Sequence, residues 1–235
     1  MPSGSASRRN RPARGSVAAA RRGPSTGIII AVVVLVLFAG AVGFGIYRTQ
    51  RGSGDVPVPV GGTSTSITVG QASAPATIDI YLDFQCPVCK QYETQTGPTI
   101  DKLVAAGQAK VVYHPVAFLD RFSSAQYSSR SSAASACAAD AKVFPQYLTL
   151  LYANQPPENG NGLPENQLVS LGQQAGAGGD FAQCVQDNHY ANWTKSVTDD
   201  ASRAGVNGTP TIKVNGTDVG MSTDALTAAV AAAQR

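Results

Sequence analysis

A strand-like run that ends at two cysteines, two residues apart, constrains this chain most. From Thr77 to Phe84 the sequence reads TIDIYLDF, with Ile78, Ile80, Leu82 and Phe84 on one side and Asp79, Tyr81 and Asp83 on the other. That is the period of a strand with one face in a core. Cys86-Pro87-Val88-Cys89 follows at once, and Lys90 to Ala106 has helical composition, with a kink or break expected at Gly97-Pro98. Pro87 suits an early helical position, where its missing N–H has no intrahelical acceptor anyway. The first thiol then lies at a helix N-terminus, where free N–H groups and the macrodipole stabilise a thiolate. The spacing fits two chemistries, a small reactive disulfide or half of a zinc site.

The compartment bears on that choice. Residues 27–47, GIIIAVVVLVLFAGAVGFGIY, carry no charge and no proline and have the length of one membrane-spanning helix. Six arginines (Arg8, Arg9, Arg11, Arg14, Arg21, Arg22) and no acid precede the segment, and only Arg48 and Arg51 follow it closely. The positive-inside rule places residues 1–26 in the cytoplasm as a disordered basic tail and exports everything after Tyr47, on a single-pass anchor in contact with lipid. A cleaved signal peptide is the rival reading, with Ala39-Gly40-Ala41 as its small-residue site. Under either reading the cysteines lie outside the cytoplasm, where disulfides persist. Eight of the 18 basic residues lie at or before Arg51, leaving ten beside all 15 acids, so the exported portion is near −5. The basic tail therefore gives no reason to expect a nucleic-acid partner.

Residues 48–66 read as an extended linker, short of large apolar residues and punctuated by Pro57 and Pro59. Residues 67–235 are long enough for one domain with a proper core. After the first strand and helix, a second strand is expected at Ala109 to Phe118, limited by Pro115. A helical block spans about 120–204, with helices at Ser123 to Ala141, Val143 to Ala153, Glu165 to Ala175 and Asp180 to Ala204. Asn215-Gly216 marks a hairpin between Thr211 to Val214 and Thr217 to Val219, and Ser222 or Thr223 opens a last helix.

This order is that of an α/β thioredoxin fold interrupted by a helical insertion. TIDIYLDFQCPVCK around the thiols and GVNGTPTIKVNG at 205–216 resemble the DsbA-like thioredoxin family, particularly the membrane-anchored or exported forms of high-GC Gram-positive bacteria. The resemblance implies a protein disulfide oxidoreductase with Cys86 as nucleophile and Cys89 as resolving thiol. Thr209-Pro210 becomes the loop facing them, with Pro210 in the cis form that proline adopts at least cost. Pro87 and Val88 lie between the thiols and join that loop as the substrate-binding surface. The implied partners are exported cysteine-containing proteins and a membrane quinone-linked reoxidase of the DsbB or vitamin K epoxide reductase type. Thiol exchange itself requires no cofactor.

For Cys137 and Cys184, 47 residues apart in the helical block, three readings compete: a structural disulfide, two buried thiols, or a metal site shared with the first pair. An oxidising compartment favours the disulfide, and isolated helical cysteines lack metal-ligand spacing, so no metal is expected. His114 and His189 read as packed or surface residues, and Asp83 as a solvated or hydrogen-bonded acid at a strand end. Direction rests on weaker signals. A proline after the first thiol resembles oxidases, whereas threonine before the cis proline also occurs in reductases and isomerases. Potentials within this fold run from about −120 to −270 mV. The expected function is insertion of disulfides into exported proteins. The alternatives are a reductase or isomerase of such proteins, or a non-catalytic anchored binding or metal-delivery module.

Overall fold

The computed structural model describes residues 30, 35–38, 40 and 56–235. The chain divides into two units, Met1–Ser53 and Gly54–Arg235. In the first, the described residues Ile30, Leu35 to Phe38 and Gly40 are helical and exposed. The rest of the expected span at 27–47, the basic tail and linker residues 48–55 lie outside the described residues. Among the described residues no helix is long and apolar enough to cross a membrane.

Among the described residues the second unit is built on six strands: β1 (Gly62–Thr63), β2 (Ser66–Val69), β3 (Ala76–Leu82), β4 (Ala109–Pro115), β5 (Thr211–Val214) and β6 (Thr217–Asp218). They lie in the order β1-β2-β4-β3-β5-β6, with only β3 and β4 parallel. The parallel pair needs a crossover, which α1 (Pro87–Ala105) supplies. β3 is hydrogen-bonded on both edges, and its Ile78, Ile80 and Leu82 are buried, so the first apolar run becomes the centre of the core. Between β4 and β5 lie a short 3₁₀ turn (Asp120–Phe122) and helices α2 (Tyr127–Asp140), α3 (Phe144–Ala153), α4 (Glu165–Gln174), α5 (Phe181–Gln186) and α6 (Ala191–Arg203). The last helix, α7 (Thr223–Ala233), is capped by the Ser222 hydroxyl, which accepts from the Ala225 N–H at 3.1 Å.

Four details depart from the sequence reading. The tether stops short of Gly62, because β1 and β2 form a hairpin whose Ile67 pairs with Tyr113 and is buried. The Thr63 carbonyl accepts from Trp193 Nε1 at 2.8 Å, and His114 Nδ1 donates to the Thr65 carbonyl at 2.9 Å. α1 runs unbroken through Pro98, whose ring is exposed to solvent. β4 ends at Pro115, three residues early. The expected helix at 180–204 is two helices, separated where Asn188 takes φ +46°.

The insertion has its own core. Trp193, Tyr127, Tyr147, Leu148, Leu151 and Leu168 are all fully buried. Gly172 in α4 faces the Phe181 ring so closely that a Cβ would lie 2.0 Å from it, which lets α4 and α5 pack against each other. Cys137 and Cys184 form a disulfide that ties α2 to α5, with Cα atoms 6.0 Å apart.

Candidate active site

Cys86 is the N-cap of α1. Its backbone is extended (φ −77°, ψ 118°) and Pro87 occupies the first turn, so the thiol meets the free N–H groups of the helix start. Cys86 and Cys89 are both unpaired thiols here, 6% and 2% exposed, while Val88 between them is 45% exposed. The Thr209–Pro210 peptide is cis, and the Thr209 carbonyl accepts a hydrogen bond from Cys86 Sγ at 3.3 Å. The structure therefore brings together Cys86, Pro87, Val88, Cys89, Thr209 and Pro210, from two segments 123 residues apart. Cys137 and Cys184, bonded to each other, are excluded from this group. Among the described residues no set of three His, Cys, Asp or Glu side chains is placed to hold a metal ion.

The two thiols differ in acidity. The hydrogen bond from the Cys89 thiol, then the Cys89 N–H, the Thr209 side chain and the Val88 N–H, bring Cys86 from an ordinary 9.0 down to about 6, against the opposing effect of burial. Burial pushes Cys89 well above its ordinary value, and the neighbouring Cys86 adds to the rise. One thiol is thus mostly thiolate at neutral pH while the other keeps its proton.

Beneath them lies an acid that the alternation of β3 had placed on its polar side. Asp83 is fully buried: Oδ1 accepts from the Gln85 N–H (2.9 Å) and the Ser128 hydroxyl (2.6 Å), and Oδ2 from the Leu119 N–H (3.0 Å). Burial raises its carboxyl to about 6, although those three hydrogen bonds hold it down. Of the two readings offered for this acid, the hydrogen-bonded one describes it and the solvated one does not. His114 is held by other partners, its ring stacked on Tyr81 at 4.2 Å and Nε2 3.2 Å from Asp79 Oδ1. His189 is exposed, against the edge of Tyr190.

Three contributors to the site carried no signal in the sequence. Gln155 Nε2 donates to the carbonyls of Phe84 and Cys86, both at 2.9 Å, and the Tyr152 hydroxyl donates to the Asp83 carbonyl at 3.3 Å. Gln85 is buried with its Nε2 on the Leu119 carbonyl at 3.3 Å. Their partners lie 34 to 71 residues away, and only the fold joins them.

A thiolate capping a helix, a protonated thiol one turn inside it and a cis-proline loop against both define a dithiol centre for disulfide exchange. Residues 62–232 match the thioredoxin family model, and the chain belongs to that family, among its DsbA-like members. Among solved structures it is similar to oxidised DsbA of Mycobacterium tuberculosis, at 33% identity over 70% of this chain and 90% of that one, with a TM-score of 0.63. It is also similar to the reduced disulfide oxidoreductase DsbG of that organism, at 32% identity over 72% and 87% of the two chains, with a TM-score of 0.65. Among curated proteins, 155 residues are 34% identical to part of the serine/threonine-protein kinase PknE of M. tuberculosis, which is 61% of this chain and 27% of the kinase. The chain thus spans about a quarter of the length of that relative.

Proposed function

We propose that this oxidoreductase works as an oxidase outside the cytoplasm, inserting disulfides into exported proteins from a membrane anchor at residues 27–47. The observation that carries the reading is the split between Cys86, lowered to about 6, and Cys89, raised by burial. In the oxidised enzyme a substrate thiolate attacks Cys86 Sγ; the Cys86–Cys89 bond breaks and Cys89 leaves with the electron pair, taking up a proton that its buried site favours. A second thiolate of the substrate attacks the substrate sulfur of this mixed disulfide and expels Cys86 as a thiolate. The substrate loses two electrons and the enzyme gains them. A low-pKa thiol leaves readily, so the acidity of Cys86 favours this direction over its reverse.

Thr209 supports substrate docking. Its carbonyl holds the Cys86 thiol hydrogen in the structure; once Cys86 is a thiolate or a disulfide, that oxygen is free to accept an N–H from an extended substrate. Exposed Val88 beside the thiols offers apolar contact. Location is supported by the apolar segment and its arginine asymmetry. Oxidation of the next substrate requires a membrane reoxidase, for which the quinone-linked DsbB or vitamin K epoxide reductase type has the needed chemistry.

Measurement of the Cys86/Cys89 reduction potential against glutathione tests the direction. A value in the oxidising part of the range, toward about −120 mV, supports an oxidase; one near −270 mV overturns it in favour of a reductase.

A further inference from the structure

The active-site turn is held from outside its own segment. Gln155, just past the end of α3, places both hydrogens of one amide on it, donating from Nε2 to the Phe84 and Cys86 carbonyls at 2.9 Å each. Those carbonyls lie on either side of Gln85, so one planar group fixes the chain that leads into the Cys86 N-cap. Tyr152, three residues earlier, donates to the Asp83 carbonyl, which also accepts from the Cys86 N–H at 3.0 Å. In its thiol form Cys86 donates to the Thr209 carbonyl and makes no side-chain capping bond within α1; only as a thiolate does it draw on the Val88 and Cys89 N–H groups.

We infer that Gln155 is a positioning residue for the Cys86 thiolate, so that the helical insertion governs the acidity of the thiol through this amide. The inference rests on Cys86 being the nucleophile. Two physical effects act together. The first is orientation: the extended backbone at Cys86 sets Sγ at the helix start, where the Val88 and Cys89 N–H groups stabilise its thiolate, and pinned carbonyls on both sides of Gln85 hold that backbone. The second is electrostatic. The Cys86 carbonyl oxygen belongs to the residue that carries the thiolate, and a hydrogen donated onto it offsets partial negative charge close to the sulfur. Every group that stabilises this thiolate does so by hydrogen bonding, with no cation among them, so misalignment is not compensated.

Thiolate absorbance followed from pH 4 to 10 on the reduced full chain, with the rate of alkylation at pH 6, tests the inference in Gln155→Leu and Gln155→Met. Leucine and methionine both remove the two donors and add no charge beside the thiolate. Each variant is expected to raise the Cys86 midpoint by about one pH unit and to slow alkylation at pH 6 about fivefold. A merely structural glutamine would lower the melting temperature and leave the midpoint where it is, and that result overturns the inference. If the leucine variant does not fold, the methionine variant decides alone. A wild-type midpoint near 9 overturns the assignment of Cys86 instead, so the two failures are distinct.

Discussion

Removing one hydroxyl beneath the thiols should destabilise this domain more at neutral pH than in acid. Ser128 is fully buried on α2, and its hydroxyl donates to Asp83 Oδ1 at 2.6 Å. The Asp83 carboxyl is raised by burial from 3.8 to about 6, so the native state holds it protonated at pH 4.5 and ionised at pH 7.5. A carboxyl raised in this way favours folding below its unfolded pKa and withdraws that contribution as pH rises through its folded one. A rise of that size in a nearly fully buried group corresponds to about 3 kcal/mol, lost between roughly pH 4 and 7. Ser128→Ala takes a donor from the carboxylate at pH 7.5, where a hydrogen bond to a charged group contributes about 1.5–3 kcal/mol, and from a neutral carboxyl at pH 4.5, where the value is nearer 1. The groups facing Asp83 besides its donors are Cys86, Tyr127 and Tyr152, none of them a cation. Urea unfolding of wild type and variant at both pH values should give a loss of about 2 kcal/mol at pH 7.5 and about 1 at pH 4.5. Equal losses, or a larger one in acid, would refute the ionisation of Asp83 as the source.

Other consequences concern the cysteines. Iodoacetamide should modify Cys86 in the reduced protein with a midpoint near pH 6, rising on the alkaline side, while Cys89 stays unmodified to at least pH 9; rates followed by peptide mass spectrometry check both. Cys86→Ser should abolish disulfide exchange with a dithiol peptide, and Cys89→Ser should accumulate a mixed disulfide visible on a non-reducing gel. The double variant Cys137→Ser/Cys184→Ser opens a loop of 47 residues, and chain entropy puts the loss at about 4 kcal/mol. In a unit of this size that lowers the melting temperature by about 10 °C, with Cys86 acidity unchanged; a loss under about 1 kcal/mol would show that the helices of the insertion hold without the bridge.

The parts of this fold that were legible in sequence are those whose signals are local. β3 announces itself by alternation, the thiol pair by its spacing and the β5–β6 turn by Asn215-Gly216, which take the positive φ such a hairpin needs. β2 was hidden because SITV, set among glycine, serine and threonine, is too short for a period to show. Gly97-Pro98 suggested a break that tertiary packing overrides: Gly97 is buried, Pro98 faces solvent, and α1 carries on between them. At the site, Cys86, Cys89 and Thr209-Pro210 are visible as motifs. Asp83 and Gln155 acquire their roles only from residues tens of positions distant. Asp83 even has the parity of a surface position, because β3 has already ended at Leu82 when the chain turns it inward.

The strand order also separates where the chain enters from where thiols react. The segment ahead of the sheet comes in along β1, held by the Val60 N–H on Asp140 at 2.8 Å, at one edge. The residue that meets Cys86 comes just before β5, four strand spacings across, or about 19 Å. Residues 60–63 thus lie at the sheet edge remote from the strand that Thr209 precedes, so the described approach to the sheet and the peptide that faces Cys86 occupy opposite sides of the domain's central strands.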